Sequence, residues 1–574
     1  MPWTPSRPSL ALVLLVVLGL LLGCAPTTDD GAGATSDAAD LVITGGKIIT
    51  VDDANPEVEA LAAKDGKIIA LGSAEEIAAH VGESTRVVEL AEGQVAIPGF
   101  IEGHGHFMGL GDFRSQLDLR SATSWQDIVD QVAAAAAELP AGSWIRGRGW
   151  HQDKWSAPPE PNLEGFPLHA SLSDAAPDHP VLLTHASGHA LFANAKAMEL
   201  AGIDGATPDP QGGEILHDAA GAPTGLFRET AQSLIHAARG EGPSVDELTR
   251  AARLAAEESL AKGVTSFQDA GSAFETVDFL RQVTAAEDWV GPRLWMMVRD
   301  SNEALESRLA EVVEATRDDD VLTVAGIKLS IDGALGARGA WLLEPYTDSP
   351  ESTGLNLVPI PVAERTAEIA QEVGVQLCIH AIGDRANREV LDLFERALGD
   401  KVGEDHRWRI EHAQHLHLDD IPRFAELGVV ASMQAVHCTS DGPWVPDRLG
   451  DQRSEDGAYV WRKLIDAGVV VSNGTDAPVE DVDPLASYYS SVSRLMANGE
   501  RFYPDQVMTR LEALRSYTLS AAFAAFEDDV KGSLEVGKLA DVVVLSQDIL
   551  TVPEESIPDT QVVHTIVGGE VVGP

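Results

Sequence analysis

The chain has 574 residues, 44% of them hydrophobic, and its 90 acidic and 41 basic side chains give a formal net charge of −49 at pH 7. This length allows a large domain with a smaller one, and the apolar content excludes a disordered or fibrous chain. The charge excludes nucleic acid and anionic lipid headgroups as partners, because both repel a strongly acidic surface; we attribute the acidity to solubility rather than to a cationic partner.

Residues 1–23 have the pattern of a bacterial lipoprotein signal peptide. Arg7 gives a positive start, the apolar run over 10–22 is too short for a comfortable membrane span, and Gly23 and Cys24 close it. We expect cleavage before Cys24, lipidation of that cysteine and a flexible tether over 24–39; an uncleaved anchor or an ordinary secretory signal is the alternative. The protein would then lie in the bacterial cell envelope, lipid-anchored and facing the periplasm or exterior.

Short strands and turns fill residues 40–97 and 531–574. Asp65-Gly66 between two apolar runs is a hairpin signal in the first part, and Gly568-Gly569 has the same role in the second. Neither part has enough strands to cover its own apolar face. We therefore expect the two chain ends to form one small β-sandwich.

Between these ends, over residues 98–530, short apolar runs alternate with helical patterns, as in βα units around a parallel sheet. Eight runs qualify as strands, and eight strands close a (β/α)8 TIM-like barrel of the α/β class. The first of them ends at His104, and the other seven cover residues 264–269, 293–298, 326–329, 375–380, 408–412, 429–433 and 469–476.

The first two predicted strands are far apart in the sequence, so that residues from about 113 to 242 form a large insertion after the first barrel strand. This segment is rich in Trp, His, Gly and Pro. A loop of that length is rarely without structure of its own. We interpret it as a subdomain over the barrel mouth that shapes a pocket.

Side chains suited to metal binding lie at or near the ends of the predicted strands, the face on which barrel enzymes assemble their sites. Neutral imidazole and carboxylate are ligands that zinc and similar divalent ions prefer. One such histidine alone would be an ordinary core or loop residue, but the set in this order predicts a metal centre. Its candidate members are His104, His106, Lys328, His380, His412 and Asp476.

With their flanking residues, these positions resemble the amidohydrolase superfamily, and within it the branch of metal-dependent hydrolases, amidohydrolase 3, that includes N-substituted formamide deformylases. The resemblance covers the chain after the tether. It rests on IPGFIEGHGH at 97–106, GVTSFQDAG at 263–271, KLSIDGALGAR at 328–338, HAIGD at 380–384, RIEHAQ at 409–414, GTDAP at 474–478 and GSLEVGKLAD at 532–541.

The resemblance implies a centre of two divalent ions, zinc or alternatively manganese, iron or cobalt. The more buried ion would be held by His104, His106 and Asp476, and the second by His380 and His412. Lys328 would bridge both as an N6-carboxylated lysine, because carboxylation turns the amine into an anion with two oxygens, whereas an ammonium cannot bind a cation. The alternative is an unmodified Lys328 in an ion pair with Asp332 or a neighbouring carboxylate, which leaves one ion.

The resemblance also implies hydrolysis of a non-peptide C–N bond, in an amide, an N-substituted formamide or a cyclic amide, by metal-activated hydroxide. Asp476 would accept the proton during attack and pass it to the departing amine; a ligand role alone is the alternative. A deaminase or esterase on the same centre is the alternative within enzymes. A non-catalytic ligand-binding lipoprotein is the alternative outside them.

The remaining candidates are carboxylates that orient the histidines and groups that contact a small-molecule substrate. The first set is Glu411, Asp384 and Asp269. The second set is Arg338, His185 and His189, and for Arg338 a salt bridge between loops is the alternative. Contact with a membrane is expected only through the lipid anchor. The oligomeric state stays open, a homodimer included.

Overall fold

The computed structural model describes residues 38–240, 242–317 and 319–574. The predicted signal peptide, Cys24 and most of the predicted tether lie outside the described residues and remain predictions. In the ranges just given, no helix has the length and apolar character needed to cross a bilayer.

Eight parallel strands form one sheet in which the order in space follows the order in the chain. Each of the eight predicted strands overlaps one of them, so the predicted TIM-like barrel is confirmed. We number them barrel strands 1 to 8 in chain order: Phe100–Gly105, Val264–Ser272, Arg293–Val298, Leu322–Ser330, Gln376–Ala381, Arg409–His412, Val430–Met433 and Val471–Asn473.

Side-chain contacts bring barrel strand 8 against barrel strand 1. The carboxylate of Glu102 accepts hydrogen bonds from the backbone N–H of Thr475 at 2.6 Å and from its hydroxyl at 2.8 Å. Gly103 permits the close approach, since a Cβ at this position would lie 2.4 Å from the carbonyl oxygen of Asn473. The approach places the residues that follow strand 8 beside the end of strand 1.

Amphipathic helices alternate with the barrel strands, and their apolar residues share one large hydrophobic cluster with them. Ser244 and Ser301 each begin a helix by accepting a hydrogen bond from a backbone N–H of its first turn. The helices up to strand 7 are Phe107–Phe113, Val245–Ala261, Phe274–Thr284, Asn302–Thr316, Ile360–Val373, Asp384–Leu398 and Ile421–Leu427. The later ones are Ala435–Asp441, Val445–Leu449, Asp451–Gly457, Trp461–Asp466, Pro484–Ser493, Arg510–Ser516 and Leu519–Phe523.

The segment predicted as an insertion contains a six-stranded sheet and a hydrophobic cluster of its own, centred on Trp125, Trp150 and Phe192. The strands in spatial order are Gly213–His217, Pro223–Glu229, Ala190–Ala193, Val181–His185, Ile145–Trp150 and Leu117–Asp118. A short hairpin, Asn162–Leu163 with Phe166–Pro167, and the helices Trp125–Glu138, Ala170–Ala175, Ala195–Ala201 and Gln232–Ala237 complete this segment.

Strands from both chain ends pair with each other, since Val95–Pro98 runs antiparallel to Val542–Leu545. In spatial order, their sheet comprises Glu570–Val571, Val562–Val567, Val542–Leu545, Val95–Pro98, Lys47–Ile49 and Glu57–Val58. A second sheet comprises Lys67–Gly72, Ala60–Lys64, Leu41–Thr44 and Arg86–Glu89, next to the helix Ala74–Ile77. Residues of both sheets, such as Ile43 and Val542, share one hydrophobic cluster. Their assignment to a separate β-sandwich domain remains a prediction.

Candidate metal centre

All six predicted metal ligands meet at the C-terminal ends of the barrel strands. His104, Lys328, His380 and His412 belong to strands 1, 4, 5 and 6. His106 and Asp476 lie just beyond strands 1 and 8. Five of the six residues are buried, and His106, with a side chain 34% exposed, is the most accessible.

The centre of the cluster consists of His104, His412 and Asp476, which each offer one ligand atom within 4.8 Å of the others. Nε2 of His104 lies 3.7 Å from Oδ1 of Asp476, and Nε2 of His106 lies 3.2 Å from the same oxygen. The backbone N–H of Asp476 donates to the carbonyl of His104 at 2.8 Å. The closure between strands 8 and 1 therefore fixes these side chains relative to each other.

His380 and Lys328 extend the cluster beyond His104, His412 and Asp476. The ring centroids of His380 and His412 are 4.5 Å apart, and those of His104 and His412 are 4.6 Å apart. Nζ of Lys328 lies 3.5 Å from Nε2 of His104. The lysine and the histidines thus form one continuous group.

Two atoms of this group are buried and have no partner in hydrogen-bond geometry among the described residues: Nε2 of His380, which lies 3.5 Å from Oδ1 of Asp332, and Oδ1 of Asp476, which lies 3.2 Å from Nε2 of His106. An unsatisfied buried polar atom costs about 1–3 kcal/mol. The backbones of His412 and Asp476 add strain, with φ of +77° and +56°. A divalent cation held by imidazole and carboxylate would satisfy these atoms, so the residues fit the predicted metal.

Other side chains orient two of the imidazoles. Nδ1 of His104 donates to the carboxylate of Glu411, which Arg409 also holds through a 2.7 Å bond from Nε. Nδ1 of His412 donates to the amide oxygen of Gln434 at 2.6 Å. In both rings Nε2 is therefore the nitrogen left for a metal, and the partner on Nδ1 fixes the tautomer.

Burial keeps the imidazoles of the cluster neutral. It lowers the pKa of His104 to about 4, and the pKa values of His380 and His412 fall well below the ordinary range for the same reason. Neutral imidazole is the form that binds a metal ion. The three side chains are therefore in their ligand form at neutral pH.

Lys328 is a buried lysine without a counter-ion. Burial lowers its pKa to about 8, and no carboxylate oxygen of the described residues lies within 4.0 Å of its Nζ. The carboxylate of Asp332 instead accepts hydrogen bonds from the backbone N–H groups of Trp341, Ile382 and Gly383. The ion pair with Asp332 that was the alternative for Lys328 is therefore not observed.

Asp476 is ionised despite its burial. Burial alone raises the pKa of its carboxyl, but the nearby imidazoles of His106, His104 and His412 outweigh this effect and hold the pKa well below its usual range. The carboxylate is therefore in its metal-binding form at neutral pH.

A cavity, here called the metal-site cavity, opens onto the cluster between the barrel and residues 113–242. Its walls from the barrel include His380, His412, Gln414, Asp441, Trp444 and Asp476. The insertion contributes His151, Lys154, Ser187 and His189. A substrate in this cavity would thus contact both parts of the chain.

The three predicted substrate contacts have different surroundings. His189 lines the metal-site cavity, with its ring centroid 5.1 Å from that of His380 and its Nδ1 2.8 Å from the Glu229 carboxylate. His185 is buried and bonded to Ser187 and Gln152. Arg338 forms an ion pair with Asp348 at 2.9 Å, which is the alternative that the sequence left open. Neither of the last two is among the described residues that line this cavity.

The three carboxylates that were predicted to orient histidines also have different contacts in the structure. Glu411 bonds His104 as described above, and Asp269 accepts a hydrogen bond from the backbone N–H of Phe107, next to His106, at 3.0 Å. Asp384 accepts from the backbone N–H of Leu343 at 2.8 Å, so its carboxylate supports a loop instead of an imidazole.

Three residues that support the site were not predicted. Glu102 joins strands 1 and 8, Asp332 holds the loop after His380, and Gln434 holds His412. The sequence could have indicated Glu102 and Gln434 as residues of the site, because each is a polar residue inside or just after a buried strand. Asp332 was considered only as a partner of Lys328.

Comparisons with known proteins show to which family of proteins the chain is similar. The model of a family described as the amidohydrolase family matches residues 88–573. The protein LONG AFTER FAR-RED 3 of Arabidopsis thaliana is 32% identical over 93% of this chain and 92% of its own length. The N-substituted formamide deformylase of Arthrobacter pascens is 26% identical over 92% of this chain and 97% of its own.

Among solved structures, a metal-dependent hydrolase from Pyrococcus horikoshii OT3 is similar with a TM-score of 0.71 and 27% sequence identity. The match covers 90% of this chain and 99% of that one.

Proposed function

This chain belongs to the amidohydrolase family, and on that premise we propose that it hydrolyses a non-peptide C–N bond in an amide, an N-substituted formamide or a cyclic amide. The observation that carries the proposal is the buried cluster of His104, His412 and Asp476 beside a cavity, with one ligand atom of each within 4.8 Å of the others. The formamide deformylase among the relatives supports this class of bond.

We propose two divalent ions, zinc in the first place, as the cofactor. His104, His106 and Asp476 would hold one, and His380 and His412 the other. Such ions supply Lewis acidity and bring the pKa of a bound water towards ~7. The neutral imidazoles and the anionic Asp476 support this assignment, because they are in ligand form without further proton loss.

We propose that Lys328 carries an N6-carboxylate that bridges the two sites. Carbon dioxide reacts with a neutral amine, and the burial that lowers the pKa of Lys328 to about 8 favours this form. Its Nζ lies 3.5 Å from Nε2 of His104, at the centre of the cluster. The modification would also remove the cost of a buried ammonium without a counter-ion.

Asp476 is the proposed proton carrier. It would accept the proton of the attacking water through Oδ1, which faces the imidazoles of His104 and His106, and return it to the departing amine. Its backbone N–H is fixed to the carbonyl of His104 at 2.8 Å, which holds the carboxylate in place during both transfers. His189 and the other insertion residues of the metal-site cavity would keep bulk water out and position the substrate.

The test is hydrolysis by zinc-loaded protein of a panel of N-acyl amines, N-substituted formamides, cyclic amides, amino-substituted heterocycles and esters. Turnover of the first three groups is expected. Turnover of esters alone, or ammonia release from the heterocycles alone, would favour the esterase or the deaminase instead.

The Asp476→Asn variant separates catalysis from binding. It should lose turnover and keep the fold, while Asp466→Asn, an exposed carboxylate on a helix, should change nothing. Circular dichroism and metal analysis on the same samples provide the controls. Undiminished hydrolysis by Asp476→Asn would contradict the assigned proton carrier.

We also propose the setting of this enzyme from the sequence. Cys24 would carry the lipid that holds the protein in the cell envelope, and residues 113–242 would act as a subdomain over the barrel mouth beside a β-sandwich built from both chain ends. Expression of the full chain in a bacterium tests the anchor, since Cys24→Ser should move the protein from the membrane fraction to the soluble fraction.

A further inference from the structure

A second cavity, here called the arginine cavity, adjoins the metal-site cavity. Its volume is about 360 Å³, and Ser187, His189 and Val479 line both cavities. The remaining walls include one predicted metal ligand and two arginines. Apart from the three shared residues, the walls of the arginine cavity comprise His106, Arg148, Gly188, Glu229, Thr230, Gln232, Arg299 and Leu357. A substrate at the metal centre could therefore extend directly into this space.

Arg148 enters the arginine cavity from the strand Ile145–Trp150 without a carboxylate partner. The single hydrogen bond of its side chain among the described residues runs from Nη2 to the carbonyl of Ala186 at 3.3 Å, and its Nε is buried with no partner there. Arg146, two residues earlier on the same face of the strand, is instead paired with Asp112 at 2.8 Å. The guanidinium of Arg148 thus has donors left over for a ligand.

The charge around Arg148 is not balanced by the cavity itself. Two carboxylates, those of Asp112 and Asp476, attract Arg148 from a distance. Asp112 is paired with Arg146, and Asp476 lies against His106. Burial lowers the pKa of Arg148 to about 10, as expected for a cation that has lost water without gaining a counter-ion, and it remains charged at neutral pH.

The other charged groups of the arginine cavity leave it positive. Arg299 donates to the hydroxyl of Ser330 at 3.2 Å, and no carboxylate oxygen of the described part of the chain lies within 4.0 Å of its guanidinium. Oε2 of Glu229 contacts His189 at 2.8 Å, and the same carboxylate attracts Arg299 from a distance, so that one carboxylate faces two guanidinium groups among the described residues of these walls. Two such arginines are unusual in a chain with a net charge of −49, where acidic groups outnumber basic ones.

From this placement we infer that the arginine cavity is a binding site for a carboxylate of the substrate, with Arg148 as the main contact and Arg299 as the second. The inference rests on the proposed function and narrows it to amides that carry a carboxylate, such as N-acyl amino acids. A guanidinium fits a carboxylate with two parallel hydrogen bonds, and this pairing is stronger than one between neutral groups.

The position of the arginine cavity relative to the metal centre decides which part of the substrate binds there. His106 and His189 line the arginine cavity, so a group bound there lies beside a predicted metal ligand and belongs to the part of the substrate nearest the metal centre. In an N-acyl amino acid, the carboxylate is separated from the amide nitrogen by one carbon. In the proposed arrangement, the amide lies at the cluster of His104, His412 and Asp476 while the carboxylate meets Arg148.

The test compares N-acetylleucine with N-acetylleucinamide, in which a neutral carboxamide replaces the carboxylate. Calorimetry on the zinc-loaded full chain should show binding of the carboxylate about tenfold tighter than that of the carboxamide. Arg148→Met should lose this preference. Arg253→Met should keep it, because Arg253 is an exposed arginine paired with Asp288 on an outer helix. Metal content and thermal midpoint show whether each variant is folded.

Equal affinity of the wild-type protein for the two compounds, no binding of the carboxylate, or a preference that survives in folded Arg148→Met would overturn the inference. The wild-type comparison stands even if the variant does not fold. Hydrolysis of the same compounds is a separate measurement. A carboxylate preference without hydrolysis of any amide would reject the proposed function and keep the site, whereas amide hydrolysis without the preference would reject the site alone.

Discussion

Glu411, at barrel strand 6, accepts a hydrogen bond from Nδ1 of His104, at barrel strand 1. Both side chains are fully buried, and Arg409 compensates the charge of the carboxylate through Nε at 2.7 Å. Burial raises the pKa of Glu411, but Arg409 and His104 outweigh that effect and lower it. An ionised acceptor therefore holds Nε2 of His104 towards the metal site.

Glu411→Gln should weaken metal binding. The amide has no charge to hold the imidazole, and loss of such a partner typically costs 10–100-fold, that is about 1–3 kcal/mol, in metal affinity. It also leaves the buried guanidinium of Arg409 uncompensated, which costs on the order of 3–5 kcal/mol of stability. Equilibrium dialysis with zinc and urea unfolding of the metal-free protein measure the two effects.

Asp384→Asn is the matched control for that change. The carboxylate of Asp384 accepts from the backbone N–H of Leu343 and supports a loop. Loss of this carboxylate should slightly reduce the free energy of unfolding without changing zinc affinity. Equal zinc affinity of Glu411→Gln and the wild-type protein would show that the bond to His104 does not serve the metal site.

Lys328→Ala should reduce the metal content from two ions to one and abolish most activity. A short carboxylic acid such as formate should restore part of both, because it can occupy the space of the proposed carbamate. Lys531→Ala is the control, since Lys531 is equally buried but paired with Glu527 at 2.7 Å. Two bound ions and full activity in Lys328→Ala would refute the bridging role. NMR of protein equilibrated with ¹³C-bicarbonate observes the carbamate directly.

The barrel, and the meeting of the six candidate ligands at one end of it, could be predicted because each left a local signal. Eight apolar runs of strand length gave the number of strands, and the ligand residues stood at their ends, as His380 does at the end of Gln376–Ala381. These inferences depend on neighbours in the sequence and hold without knowledge of the tertiary contacts.

Contacts between distant segments could not be predicted. His185 and His189 are four residues apart in the sequence, but the turn at Ser187 and Gly188 separates them, so that one bonds Gln152 and the other reaches the metal-site cavity. The partner of Arg338, Asp348, lies on a loop whose path depends on tertiary packing. Arg148 gave no signal, because an unpaired arginine looks the same in sequence as a paired one.

His185→Gln should make the protein less sensitive to acid. Burial lowers the pKa of His185 to about 3 from an ordinary value of 6.5, so the unfolded chain binds a proton that the folded chain rejects. This difference removes stability as the pH falls through 6.5 towards 3, by about 2 kcal/mol between pH 7 and pH 5. Urea midpoints at the two pH values should therefore differ less in the variant.

The control for the acid effect is His417→Gln, whose side chain is 43% exposed. It should reproduce the wild-type difference between the two pH values, even if its absolute stability changes. A wild-type difference retained in His185→Gln would mean that other groups account for the acid sensitivity.

Gly103→Ala should damage both the barrel closure and the metal site. The added Cβ would lie 2.4 Å from the carbonyl oxygen of Asn473, and moving strand 8 away would draw Asp476 from His104. Overpacking of this kind costs about 1–3 kcal/mol. Gly242→Ala is the control, because its Cβ would meet no atom within 4 Å. We expect a lower thermal midpoint and weaker zinc binding in Gly103→Ala alone. Normal zinc affinity in a destabilised Gly103→Ala protein would show that the closure does not position the ligands.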